Sequence, residues 1–240
     1  MQLLIADLHL HPSQPDIAKG FIDYLHGPAR EASSLTILGD LFEAWIGDDY
    51  RGEFEHRIIA ALKACAEAGT RLAFMHGNRD FLIGEAFAAD SGCALLDDPT
   101  VAELGGQRVL LMHGDSLCTR DEAYMAFRRQ ARDPAWQAQI LSMPVEERIA
   151  LARKLREQSG EANTNKAEDI MDVTPEAVIE TMQAHDVRVM IHGHTHRPAV
   201  HELSVSGEPA ERYVIGDWRP GTGWQLRVDD DGLTLESFAI

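Results

Sequence analysis

The side chains best suited to chemistry in this chain of 240 residues fall in five short blocks. They are Asp7-Leu8-His9, Gly39-Asp40, the run from His76 to Asp80 that contains Asn78 and Arg79, His113-Gly114-Asp115, and the run from His192 to His196 that contains His194. Carboxylate, imidazole and amide oxygen together suit a divalent first-row ion such as Mn²⁺, Fe²⁺ or Zn²⁺ rather than a thiolate-bound one. Two such ions about 3.5–4 Å apart, bridged by one carboxylate, are a common device for in-line displacement at phosphorus. Taken singly, an Asp or His at the end of an apolar run is more often a turn or cap residue than a ligand. The joint occurrence of all five blocks is the signal.

Each block follows an aliphatic run that reads as a β-strand, at residues 2–6, 35–38, 71–75, 108–112 and 187–191. Between these runs apolar residues recur at helical spacing, as in Ile17, Phe21, Tyr24 and Leu25, and again in Phe54, Ile58, Ile59 and Leu62. Strands alternating with helices predict an α/β layered core. In such sheets ligands bind beyond the carboxyl ends of the strands, so the five ends are expected to converge. Gly39, Gly77, Gly114 and Gly193 fit backbones that turn sharply beside a ligand. Beyond His201 the pattern changes to short strands at 212–215, 224–228 and 233–238, which read as an antiparallel meander.

Composition narrows the classes. Asp and Glu number 39 against 22 Lys and Arg, a net charge of −17, which argues against non-specific nucleic-acid binding because that needs a cationic surface. An anionic substrate must therefore be met by metal ions or a local basic patch. Cys65, Cys93 and Cys118 lack metal-type spacing and read as reduced, buried thiols of a cytosolic protein. The N-terminal apolar run lacks a basic flank and reads as a strand rather than a signal peptide. No run approaches the roughly 18 apolar residues of a membrane span, so membrane contact is expected to be peripheral.

The stretch at about 120–166 stands apart. It has no strand signal and is helical by period, with Tyr124, Phe127 and Ala131, then Ile149, Ala152 and Leu155. It holds nine Lys or Arg against seven Asp or Glu, in a chain that is otherwise strongly acidic. One domain spanning 1–240 with this stretch as a helical cap is the expected organisation; two ordinary solvated helices would give the same pattern. Arg128, Arg129 and Arg132 form one expected basic patch, and Arg153, Lys154 and Arg156 another. Trp45, Tyr124, Phe127, Trp136, Ile140, Leu141 and Met143 are candidates to line an apolar groove.

The set D-x-H, G-D, G-N-x-[DE], H and G-H-x-H resembles the calcineurin-like metallophosphoesterases. The resemblance implies a four-layer fold, a β-sandwich flanked by helices, and a dinuclear centre of two divalent ions, Mn²⁺ by preference. By it Asp7, His9, Asp40 and His196 hold one ion, and Asp40, Asn78, His113 and His194 the other, with Asp40 bridging. Where most of the family has a histidine after the G-N pair, this chain has Arg79, whose forked guanidinium suits clamping phosphate oxygens and not donating a proton. The longer blocks at 39–49, 76–84, 112–119 and 191–202 resemble a branch of the family that cleaves the pyrophosphate of a nucleotide-linked glycolipid. That implies catalytic roles for Asp40, Asn78, Arg79 and His194. It also implies substrate contacts at Asn78, Arg79, Asp121, Ser159, Asn163, Lys166 and His194. The same resemblance implies a peripheral protein at the cytoplasmic face of the bacterial inner membrane, with no nucleic acid and no obligate protein partner. A phosphoesterase of the same fold with another substrate, and a non-catalytic scaffold, are the rival readings.

Overall fold

The computed structural model describes residues 1–164 and 172–240, with side chains described up to residue 157 and again from residue 172. From the N-terminus, β1 (Gln2–Ile5) leads through α1 (Pro15–His26) and the short α2 (Pro28–Glu31) to β2 (Ser34–Leu38). Next, α3 (Glu53–Glu67) delivers the chain to β3 (Arg71–Met75), and α4 (Glu85–Ser91) delivers it to β4 (Cys93–Leu96). The antiparallel pair β5 (Thr100–Leu104) and β6 (Gln107–Leu111) precedes three helices, α5 (Glu122–Ala131), α6 (Pro134–Leu141) and α7 (Val145–Thr164). The chain ends with α8 (Pro175–Ala184), β7 (Val189–His192), β8 (Ala199–Val205), β9 (Glu208–Val214), β10 (Gly223–Asp229) and β11 (Gly232–Phe238).

Two sheets result. One runs β11-β10-β1-β2-β3-β4, with β1 to β4 parallel; the other runs β5-β6-β7-β9-β8, with β6, β7 and β9 parallel. The alternation of side chains along a strand assigns each residue to one layer interface. Leu4 of β1 faces the other sheet beside Val109 and Leu111 of β6 and Val189 and Ile191 of β7. Its neighbours Leu3 and Ile5 face outward onto Ile17, Phe21 and Leu25 of α1 and Ile58 and Leu62 of α3. On the far side Leu110 and Met190 meet Val178 and Met182 of α8. Helices, sheet, sheet and helix therefore make the four layers expected from sequence. Strands buried on both faces read as continuous aliphatic runs, which is why the central ones were visible.

β4, β5 and β8 were not visible, and all three are sheet edges. β8 carries His201 and Glu202, both exposed, because an edge strand with a wet side needs no unbroken apolar run. The expected meander is also corrected. β9 pairs with β7 and β8 in one sheet, whereas β10 and β11 form a hairpin on the other, next to β1. The crossing between them passes the strand ends, where Trp218 N donates to Asp7 O at 3.1 Å.

The three helices after β6 are capped and tied down. Asp121 and Asp133 cap α5 and α6 by accepting from Tyr124 N (3.0 Å) and Trp136 N (2.9 Å). Ile140, with partly buried Trp136, Met143 and Leu151, joins the apolar cluster that α1 and α3 share with the six-stranded sheet. The three cysteines are buried. No helix among the described residues is long and apolar enough to cross a membrane.

Candidate metal centre and cavity

The strand-end loops are bound to one another by main chain before any ligand is considered. Asp7 N donates to Gly39 O (3.1 Å) and His9 N to Asp40 O (2.9 Å), continuing the β1–β2 pairing past the strands. Buried Leu8 between them anchors the loop in the core, so Asp7 and His9 share the opposite side. Asp80 is fully buried and fastens the third loop to the second, its carboxylate accepting from Gly77 N (2.8 Å) and Leu41 N (2.7 Å). Gly77 passes so close to Asp40 that a Cβ there would lie 2.0 Å from Asp40 Oδ1, and one on Gly193 would lie 2.2 Å from Asp7 Oδ2. Only glycine permits either approach.

Non-glycine residues with positive φ are uncommon and cluster where function over-determines the backbone. Here they include Asp7 (55°), His9 (48°), Asp40 (53°), His194 (66°) and His196 (56°), leaving only Asp186 and Ser206 elsewhere among the described residues. Five of the seven side chains expected as metal ligands thus sit on left-handed backbone.

Those seven side chains converge. Asp7, His9 and His196 offer donor atoms all within 4.8 Å of one another, and so do Asp7, Asp40 and His113. His9 Nε2 and His196 Nε2 are 3.2 Å apart. Asn78 Oδ1 lies 2.9 Å from His113 Nε2 and 3.0 Å from His194 Nδ1. Asp7 belongs to both donor groups, yet Asp40 Oδ2 stands 3.7 Å from His9 Nε2 and 3.8 Å from His113 Nε2, one imidazole from each set. That is the position a bridging carboxylate takes.

The electrostatics are those of crowded, buried donors. Burial disfavours a charged imidazole at His9, but Glu43, Asp40 and Asp7 outweigh it and raise His9 to about 9. Burial is likewise overcome at His113 by Asp40, Asp115 and Asp7, again to about 9. His194 goes the other way, lowered to about 4 by burial and the neighbouring His113. Burial and Arg212 lower His192, just before the loop, to about 3, so it stays neutral. Asp7 Oδ1 is buried without a well-aligned donor. A buried, orphaned carboxylate oxygen facing imidazole nitrogens fits a pair of divalent cations, which would take the place of the protons.

The cluster opens into a cavity of about 620 Å³. Asn78, which faces His113 and His194, and Arg79 line it, and Trp45, Phe81, Phe127, Trp136 and Ile140 are among the apolar residues of its wall. Arg79 is held by its own main chain, whose N donates to Asp40 Oδ1 (2.8 Å). Asp121 lines the cavity as well as capping α5, and Tyr124 lies beside it with its ring 5.9 Å from that of His194. Of the apolar groove candidates, exposed Leu141 and core-packed Met143 are not part of the cavity wall. The Ser159 and Asn163 side chains and all of Lys166 lie outside the described residues.

The first expected basic patch is not a surface patch. Arg128 pairs with Asp115 (3.0 Å) and Asp98 (3.1 Å), and Arg132 donates to the carbonyls of His76 and Gly77, both at 3.1 Å. Asp98 in turn accepts from His113 N (3.2 Å), and Tyr124 OH donates to Asp115 (2.6 Å). Residues 124, 128 and 132 fall on one helix face at i, i+4 spacing, and that face grips the strand ends. Charge counting along the sequence could not see partners that come from residues 76–115. Glu43, Asp98 and Asp217 were also missed as neighbours of the site, although Glu43 lies only three residues past Asp40.

A family model described as calcineurin-like phosphoesterase matches residues 3–198. The chain belongs to that family. Within it, a Chromohalobacter salexigens protein named UDP-2,3-diacylglucosamine hydrolase is 64% identical over 239 residues, covering 99% of this chain and 97% of the relative. A Pseudomonas entomophila protein of the same name is 53% identical, with 99% of each chain covered. A solved Escherichia coli phosphoesterase is 15% identical with a TM-score of 0.44, covering 100% of this chain and 98% of that one.

Proposed function

We propose that this calcineurin-like phosphoesterase hydrolyses the pyrophosphate bond of UDP-2,3-diacylglucosamine, giving UMP and 2,3-diacylglucosamine 1-phosphate in lipid A biosynthesis. The observation that carries the reading is the continuity of the donor cluster with the apolar cavity, joined at Asn78 and Arg79. A phosphate at that junction puts acyl chains against Phe81, Phe127 and Trp136. The names of relatives 53–64% identical over nearly the whole chain agree with it.

Asp7, His9, Asp40 and His196 would hold one ion, and Asp40, Asn78, His113 and His194 the other. When bound, the ions supply hydroxide from water at neutral pH and neutralise charge on the phosphate. The imidazole, carboxylate and amide donors suit Mn²⁺. Arg79 clamps the non-bridging phosphate oxygens through its fork, and Asp121 stands within reach of sugar hydroxyls. Ser159, Asn163 and Lys166 complete the sugar-phosphate contacts in this reading. A lipid substrate also places the protein at the cytoplasmic face of the inner membrane as a peripheral protein.

Hydrolysis of the UDP-lipid in ¹⁸O-labelled water tests the reaction. Attack at the α-phosphorus puts the label in UMP; label in the lipid phosphate reverses the assigned leaving group. Competition between the UDP-lipid and p-nitrophenyl phosphate tests the substrate. A UDP-lipid that fails to compete removes the proposed specificity.

A further inference from the structure

Each imidazole of the donor cluster turns one nitrogen inward, and what backs it differs between the two sets. His9 Nδ1 faces Glu43 Oε2 at 3.0 Å, while its Nε2 points inward, 3.7 Å from Asp40 Oδ2 and 4.0 Å from Asp7 Oδ1. His196 repeats the pattern, with Nδ1 3.6 Å from Asp217 Oδ2 and Nε2 3.4 Å from Asp7 Oδ1. In the other set His113 Nδ1 donates to the main-chain carbonyl of Leu38 at 2.9 Å, and its Nε2 faces Asn78. His194 also turns a nitrogen to Asn78, and its ring lies against Tyr124. His9 and His196 are each backed by a carboxylate, whereas His113 is backed by a neutral carbonyl and the His194 ring lies beside Tyr124.

A carboxylate behind a ligating imidazole fixes the tautomer, aims the other nitrogen at the metal and raises the basicity of the ligand. A carbonyl does the first two without a full charge. We propose that Glu43 and Asp217 are positioning residues for His9 and His196, and that they make the Asp7, His9, Asp40 and His196 set the tighter of two unequal divalent-ion sites. The proposal rests on the two-ion reading above and adds to it an order of filling.

Glu43 is the stronger of the two partners. Its second oxygen accepts from Arg156 Nη2 of α7 at 2.8 Å, which pins the carboxylate in place behind His9. The helical insertion therefore reaches the first ion site through Arg156. Asp217 stands farther from its imidazole, at 3.6 Å against 3.0 Å for Glu43, so its effect is the smaller.

Calorimetric titration of Mn²⁺ into metal-stripped protein tests this without any turnover. The wild type should show two unequal binding steps. Glu43→Gln keeps the shape and an acceptor oxygen but loses the charge, so it should weaken the tighter step by about 10–100-fold and leave the weaker step within about threefold. Asp217→Asn should weaken the same step by less. In an Asn78→Ala background, which removes a donor of the weaker set, the remaining tight step should still respond to Glu43→Gln. Two equal steps in the wild type overturn the proposal. So does a Glu43→Gln variant whose two steps shift equally, shift only in the weaker one, or do not shift at all. A wild type that takes up no Mn²⁺ removes the two-ion reading itself, an outcome distinct from all of these.

Discussion

The strand-end loops and the three-helix insertion face each other across one cavity, but different forces hold them. The loops are fixed by main chain. Their carbonyls and amides continue the β-ladder, Asp80 staples two of them, and glycines allow contacts that a Cβ would forbid. The insertion is fixed by apolar packing of Ile140 and its neighbours and by arginines. Arg128 of α5, Arg132 at its C-cap, and Arg148 and Arg156 of α7 reach back to Asp115, Asp98, Asp49, Glu43 and main-chain carbonyls of the body. A site made of backbone geometry is rigid and tolerates little. One made of ion pairs can lose a single contact and still close.

The contrast breaks most visibly at Asp40. It sits on left-handed backbone and faces an imidazole from each donor set. Removing it should uncouple both ions, whereas removing His9 disturbs one. Asp40→Ala should lose about 10³-fold or more in turnover, several kcal/mol at about 1.4 kcal/mol per decade. His9→Ala should lose less. Steady-state rates at saturating Mn²⁺ decide it, and an Asp40→Ala enzyme as fast as the wild type would falsify the bridging role.

Arg79 belongs to the loop but points into the cavity the insertion completes. Losing a charge-stabilising donor of this kind typically slows turnover by about 10²–10³-fold. Arg79→Ala should fall in that range, and Arg79→Lys should recover only part, since an ammonium lacks the fork. If the lysine variant turns over like the wild type, the clamp is not bidentate.

On the insertion side the expected cost is in folding. Asp115 is fully buried and compensates Arg128, whose side chain is 18% exposed. Breaking a buried pair from one side typically costs about 3–5 kcal/mol, and the remaining Asp98 contact argues for about 3. Urea unfolding of Asp115→Asn should show that loss. A change below about 1 kcal/mol, the ordinary worth of a surface pair, would mean that α5 is not tied down as the distances indicate.

What the sequence revealed, and what it hid, follows the same division. The five ligand blocks were legible because each is local: a buried strand writes an aliphatic run, and the donors follow it directly. The layered α/β core followed from the alternation of such strands with amphipathic helices, and the count of four layers from the family resemblance. Edge strands such as β8 stayed hidden because half their surface faces water and breaks the run. Glu43, Asp98, Asp115 and Asp217 stayed hidden as partners because an acidic residue looks alike whether it is solvated or paired. Pairing is decided by residues far away in the chain. The same blindness turned Arg128 and Arg132 into an apparent surface patch.

The second basic cluster survives that correction in part, and it sets the smallest expected effect. Arg153 and Lys154 of α7 are exposed, whereas Arg156 is engaged with Glu43. Arg129 is the one exposed arginine of the α5 group. A cation near an anionic bilayer contributes roughly 1 kcal/mol, so each neutralised side chain should weaken binding to anionic liposomes by about fivefold. The body of the protein is acidic, and its repulsion acts over longer range. Attraction should therefore appear at low salt and fade as the Debye length shrinks to about 8 Å at physiological ionic strength. Arg129→Gln with Lys154→Gln should reduce sedimentation with anionic vesicles and leave the turnover of a water-soluble phosphodiester unchanged, because neither residue lines the cavity or touches the donor cluster, whereas Arg153 is part of the cavity wall. Neutralising Arg132 should do the reverse, disturbing turnover through the His76 and Gly77 carbonyls while leaving vesicle binding alone. Equal vesicle binding by the wild type and the Arg129→Gln, Lys154→Gln variant at low salt would show that this face does not meet the membrane.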